Sequence, residues 1–172
     1  SEAKKNKKPT RLIDSDATDI TLNLYRNLIA LSKNKILFGH QNAVKEGRGW
    51  VLEGVPDIKK VSGKMPALIG FDFSDIFKRS KIYYPFYLKK IKEIYQQGGL
   101  ITFSWHMRNP VTGNNFYDTT PAVHTIIPGG TKHESYKKSL DKIAKFASEA
   151  ENSKGEKIPI LFRPFHEHNG NW

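Results

Sequence analysis

The sequence predicts an α/β fold of the (β/α)8 barrel class, with this chain supplying about the first four βα units. Three observations predict it. Amphipathic helical stretches alternate with short apolar runs of strand length. The runs lack polar alternation, as suits strands of a parallel sheet covered on both faces. Each run also closes on a polar or ionisable residue: His40, Asp72, His106 and Glu167. The steps between these residues are 32, 34 and 61, one βα unit for each of the first two and one unit plus an insertion for the third. In a barrel the site is assembled at just such strand ends. A doubly wound nucleotide-binding sheet would instead need a glycine fingerprint, and "GRGWVLEG", from Gly47 to Gly54, lacks that spacing.

The elements follow in order. Residues 1–11 hold five cationic residues (Lys4, Lys5, Lys7, Lys8 and Arg11) against Glu2 alone, without apolar periodicity, and are expected to be a disordered basic tail or tether. Residues 12–172 form the barrel half. Leu24, Leu28 and Leu31 fall at helical spacing, as do Tyr84, Leu88, Ile91 and Tyr95, and then Tyr136, Leu140, Ile143 and Ala147. Gly98 and Gly99 close the second helix, and Thr131 with Glu134 has capping-box spacing for the third. The strands are expected in "KILFGH", "PALIGFD", "GLITFSWH" and "IPILFRPFHE". The segment Met107–Gly130, rich in Gly, Pro and Asn, reads as a long loop, and Trp50 reads as core at a helix start.

Composition excludes several classes. The chain has 172 residues, 38% of them hydrophobic, and no cysteine; it can bury a core, but it has neither disulfides nor thiolate metal sites. No run approaches the roughly 20 apolar residues of a membrane span. The net charge of +11 is spread over the tail and the polar faces of helices, as at Lys89, Lys90, Lys92, Lys137, Lys138, Lys142 and Lys145. With no nucleic-acid motif beside it, it reads as solvated surface.

The chemistry concentrates at the end of the fourth run, "RPFHEHNGNW", where Glu167 stands between His166 and His168. This segment resembles the acid/base motif of glycoside hydrolase family 26, mainly endo-β-1,4-mannanases on a (β/α)8 barrel, and "FGHQ", "GFDF" and "FSWH" fall where that family's first three strands end. The resemblance implies that Glu167 is the general acid/base, that His106 and His166 hold the sugar at the cleavage point, and that Trp172 lines the sugar site. It further implies a nucleophilic Glu near the end of the seventh strand, beyond Trp172, so that a C-terminal half of the barrel is the missing partner and β-mannan or a related β-linked polysaccharide is the substrate. A polymeric substrate of this kind goes with an extracytoplasmic location: secreted, periplasmic or tethered at the surface. No cofactor or metal is implied.

The residues support that reading in their own right. Retaining hydrolysis needs a protonated carboxyl and a second carboxylate about 5 to 5.5 Å away. Glu167, crowded by Phe165, His166 and Trp172, is expected to be held protonated by desolvation, with Arg163 opposing if it points the same way. Strand alternation would put Arg163, Phe165 and Glu167 on one face and Phe162, Pro164 and His166 on the other, with the strand expected to be ending here. Trp105, Trp172, Asn169 and His106 make a sugar-binding set, and Arg163, His40 and Asp72 a supporting one. Each also has a plain alternative: an Arg163–Glu167 ion pair, strand-end hydrogen bonding by His40 and Asp72, and for Phe116 and Tyr117 either loop anchors or sugar platforms. No strand-end nucleophile is found among Glu46, Glu53, Glu93, Glu134, Glu149, Glu151 and Glu156. Rival functions are a glucanase or xylanase of the same family, a metal-dependent barrel hydrolase using His166 and His168, and a non-catalytic glycan-binding fragment.

Overall fold

The computed structural model describes Leu12 and residues 14–45 and 54–168; the basic tail, Trp50, Asn169 and Trp172 lie outside the described residues. The chain divides into two units, 1–37 and 38–172. The first carries α1 (Asp19–Leu31), capped by Thr18, whose hydroxyl accepts the Thr21 N–H at 3.3 Å.

The second unit holds four strands, β1 (Gly39–Gln41), β2 (Leu68–Asp72), β3 (Leu100–Ser104) and β4 (Leu161–Arg163), all parallel and in the order β1-β2-β3-β4. Between them run α2 (Asp57–Ser62), α3 (Phe73–Lys78), α4 (Ser80–Gln96), α5 (Val123–Ile126) and α6 (His133–Glu149). Sequential parallel strands with helical crossovers are the opening units of a (β/α)8 barrel: three complete βα units and the fourth strand.

Register explains the burial. Ile69 and Phe71 pair with Ile101 and Phe103 and are buried in the core with residues of α4 and α6. The Phe103 ring lies 4.3 Å from Phe73, 5.1 Å from Phe71 and 5.5 Å from Phe146, and Tyr87 packs at 4.8 Å on Phe71. Truncating any of these buried aromatics to Ala is expected to cost about 3–5 kcal/mol. The alternate residues, Gly70, Thr102 and Leu161 in one row and Asp72, Ser104 and Arg163 in the next, take the other face of the sheet. A Cβ at Gly70 would meet the Gln41 Oε1 at 2.0 Å, so any side chain there requires the Gln41 side chain to move.

Two expectations are corrected and one element is added. Only β2 and β3 are nearly wholly buried; β1 and β4 are largely exposed, since among the described residues each pairs with one neighbour. The Thr131–Glu134 capping box does not form: α6 starts at His133 after Lys132, with no side-chain cap, and the His133 Nδ1 instead meets the Ile126 carbonyl at 2.8 Å. Finally, the run ending at Asp72 continues directly into α3, a helix the apolar periodicity did not reveal.

Candidate active site

Three strand ends deliver the polar groups. Asp72 ends β2 and also caps α3: its backbone is extended (φ −132°, ψ 130°) and its Oδ1 accepts the Ser74 N–H at 2.8 Å, which satisfies a free amide of the first helical turn. The same carboxylate accepts the Ser104 hydroxyl at 2.6 Å, the His106 backbone N–H at 3.2 Å and the His106 Nδ1 at 2.5 Å. Burial by itself would raise the pKa of Asp72, but the hydrogen bonds from Ser104, Ser74 and His106 outweigh it and hold the carboxyl below its ordinary value. Asp72 is thus an ionised, 7% exposed acceptor that satisfies strand-end backbone amides and also meets the His106 ring.

His106 follows β3 by two residues. Its Nε2 lies 3.2 Å from the His166 Nε2, with the rings nearly perpendicular (83°) and 4.4 Å apart. Phe116, from the long loop, packs on the His106 ring at 4.6 Å and carries Tyr117, 78% exposed, at 4.6 Å on its own ring. Asn109 organises that loop: its Nδ2 donates to the Thr120 carbonyl at 2.8 Å and its Oδ1 accepts the Val111 N–H at 2.9 Å. Trp105, placed by the sequence among the sugar-contacting aromatics, is 7% exposed and lies parallel to Phe77 (5.6 Å) and Tyr136 (6.0 Å). It forms the wall behind His106, beside a pocket of about 640 Å³ that Arg108, Asn109 and Phe116 also line, rather than an open stacking face.

β4 ends at Arg163, and residues 164–168 turn. The expected alternation therefore stops there: Phe165 (φ 52°) and Glu167 (φ 64°) sit in the left-handed region on either side of His166, a conformation that costs bulky residues on the order of 1 kcal/mol or more each. The Arg163 Nε donates to the Thr102 hydroxyl at 3.0 Å, which donates to the Leu161 carbonyl, so Arg163 has a partner other than the Glu167 considered from the sequence. The Glu167 side chain is exposed; the crowding expected around it is not supplied by Phe165 and His166. His40 lies two strands from His106 and lines a separate concavity with Gly70, Thr102 and Arg163.

Burial first, and then the repulsion that a protonated His106 would exert, lower the pKa of His166, partly opposed by Glu167 and Asp72. Among the described residues, Asp72, His106 and His166 are the acid and imidazole groups near enough to hold a metal ion, with ligand atoms within 4.8 Å of one another. Their facing atoms are already paired with one another, which makes the set a hydrogen-bonded relay. His168, the other half of the HxH pair, turns its Nδ1 to the Phe165 carbonyl at 3.0 Å.

Residues 13–172 match the sequence profile of glycosyl hydrolase family 26. The chain belongs to this family. Among its curated family relatives, the mannan endo-1,4-beta-mannosidase of Bifidobacterium adolescentis is 33% identical over 97% of this chain and 18% of that protein. Mannan endo-1,4-beta-mannosidase A and B of Caldalkalibacillus mannanilyticus is 28% identical over 94% of this chain and 33% of that protein. Of the solved family 26 structures, the modular endo-beta-1,4-mannanase of Cellulomonas fimi superposes with a TM-score of 0.84 at 33% identity, covering 92% of this chain and 38% of that one. The catalytic domain of the Bacillus sp. JAMB-750 endo-beta-1,4-mannanase gives 0.84 at 37% identity, covering 94% and 46%. The chain thus spans less than half the length of each of these relatives.

Sequence reasoning passed over Ser74 and Ser104, which fix Asp72. The signal for Ser74 was present: "DFS" puts an Asp two residues before a helical amide, a side-chain cap pattern. For Ser104 there was none, because its contact with Asp72 crosses between strands 32 residues apart.

Proposed function

We infer that this chain is the acid/base half of an endo-acting, retaining β-1,4-mannanase, with Glu167 as general acid/base and His106 and His166 binding the sugar at the cleavage point. The observation that carries the reading is the Asp72–His106–His166 relay beside an exposed Glu167 at the C-terminal ends of parallel strands, in a family 26 chain whose relatives are named endo-mannosidases. Glu167 protonates the leaving oxygen and then deprotonates the water that releases the sugar. Asn169 and Trp172 complete the sugar contacts. The nucleophile lies in residues that follow Trp172, and the substrate, a polymer that does not cross membranes unaided, places the enzyme outside the cytoplasm.

The test uses the full-length protein and its Glu167→Ala variant on polymeric mannan and on an aryl mannoside with an activated leaving group. Hydrolysis of the polymer is expected to fall by about 10²–10⁴-fold, with release of the activated phenol far less affected in the first step. Equal losses on both substrates would refute the role. Product analysis on mannan, mixed-linkage glucan and xylan decides the substrate.

A further inference from the structure

The two oxygens of Asp72 do different work. Oδ1 accepts two backbone amides, Ser74 N–H at 2.8 Å and His106 N–H at 3.2 Å; Oδ2 accepts the Ser104 hydroxyl and faces the His106 Nδ1. An ionised carboxylate only accepts, so the His106 Nδ1 must carry a proton. In the neutral ring the Nε2 is then bare, and its neighbour 3.2 Å away, the His166 Nε2, must supply the N–H between them. We propose that Asp72 is a positioning residue for the sugar-binding histidines: it fixes His106 as the Nδ1–H tautomer and, across the shared contact, His166 as the Nε2–H tautomer, leaving the His166 Nδ1 as an acceptor for a substrate hydroxyl. This deepens the reading of the two histidines given above and rests on it.

The geometry says what one isosteric change does. In Asp72→Asn the two backbone amides keep the amide oxygen at the Oδ1 position, since neither can accept. The new NH2 therefore takes the Oδ2 position. Ser104 can turn its proton to the Phe71 carbonyl, already 3.2 Å from its hydroxyl, and accept from that NH2. His106 Nδ1 faces a donor and must become bare, so its proton moves to Nε2, and His166 in turn moves its proton to Nδ1. The relay inverts while the α3 cap stays in place, because Asn and Asp cap equally well. A hydroxyl that donated to His166 now meets a donor.

The experiment is histidine-selective 15N NMR of the ring nitrogens in the full-length protein at neutral pH. Protonated Nδ1 on His106 and protonated Nε2 on His166 are expected in the native protein, and the reverse in Asp72→Asn. A native His106 protonated on Nε2, alone or with Nδ1, overturns the proposal without any variant, so a failure of Asp72→Asn to fold does not shelter it; unchanged tautomers in a folded variant also overturn it. On mannan, kcat/KM is expected to fall roughly 10- to 100-fold in Asp72→Asn, as for a misdirected hydrogen bond to substrate, and not further when the change is added to His106→Ala. A full additional loss there overturns the proposal. If the tautomers invert but the native protein does not hydrolyse mannan, the relay stands and the mannanase reading fails.

Discussion

The Nε2 atoms of His106 and His166 face one another at 3.2 Å, so there is room for one proton between them. Protonating both rings would set two N–H groups against each other. The neighbours of His166 divide: His106 and Arg163 oppose a charge on it, while Glu167 and Asp72 favour it, and burial adds to the opposition. Its folded pKa lies below its ordinary value, so its contribution to stability is present above about pH 6.5 and is lost as the pH falls through the folded value. Asp72, also lowered, acts in the same direction at lower pH, with its contribution present above about pH 4. Denaturant titrations at a series of pH values are expected to show stability falling from neutral toward acid, with His166→Asn flattening the upper part of the fall. A profile unchanged by His166→Asn would contradict this assignment.

Lys45 is buried against Asp75, Nζ to Oδ2 at 3.1 Å with 5% of the lysine side chain exposed. The Tyr87 hydroxyl donates to the same oxygen at 2.5 Å, and the ammonium sits over the rings of Tyr83 (4.9 Å) and Tyr87 (5.5 Å). Burial, and then the bond to Asp75, push the Tyr87 phenol far above its ordinary value, so it remains a donor. Lys45→Met is expected to cost about 3–5 kcal/mol by stranding a partly buried carboxylate, and adding Asp75→Asn should recover part of it. Urea unfolding of the two variants measures this; a loss of less than 1 kcal/mol in Lys45→Met would show the pair to be unimportant.

Gly130 and Gly70 look alike as close contacts but should differ on substitution. A Cβ at Gly130 would lie 2.3 Å from the Thr125 carbonyl oxygen and 2.7 Å from that of His124, both backbone; at Gly70 the nearest atom is the end of the mobile Gln41 side chain. Gly130→Ala is expected to destabilise by roughly 1–3 kcal/mol and Gly70→Ala by less, with Gln41→Ala relieving the latter. Thermal melts of the three proteins give the order directly, and equal losses at the two glycines would contradict the steric argument.

The outer strands and the residues next to them expose apolar side chains, with Phe162 of β4 37%, Phe38 before β1 61% and Phe165 after β4 47% accessible, beside edges of β1 and β4 that have no strand partner among the described residues. Residues 1–172 purified alone are therefore expected to self-associate in light scattering and to release no reducing ends from mannan. Activity on mixing with the C-terminal half would support a split barrel; a monodisperse active monomer would require a nucleophile within these residues. Deleting residues 1–11 should leave melting temperature and activity nearly unchanged.

The strand ends were legible because parallel strands write themselves as uninterrupted apolar runs: Asp72, His106 and Glu167 were all picked out from where such runs stop, and Asp72, His106 and His166 meet in the structure. What the sequence concealed was mostly contact across elements. Trp105 looks like a sugar platform when read beside His106, but Phe77 and Tyr136, from two different helices, lie parallel to its ring. The strand was expected to be ending near Glu167, but not its stop at Arg163 or the left-handed residues at Phe165 and Glu167 that follow, since neither is the glycine that usually announces such a turn. The short helix α3 was missed because its six residues, Phe73–Lys78, are fewer than two turns and show no period.

Asp72 also sets a trap for anyone improving this protein. Because its Oδ1 satisfies the helix cap and its Oδ2 the histidine ring, an asparagine there keeps the cap and gives up only the pH-dependent contribution of the carboxylate, a small loss that a screen of expression or solubility would pass over. Libraries sorted on those traits would carry the change forward as neutral, and under the positioning role proposed above its effect would surface only when turnover was assayed. Selection schemes for this scaffold need a catalytic gate at position 72.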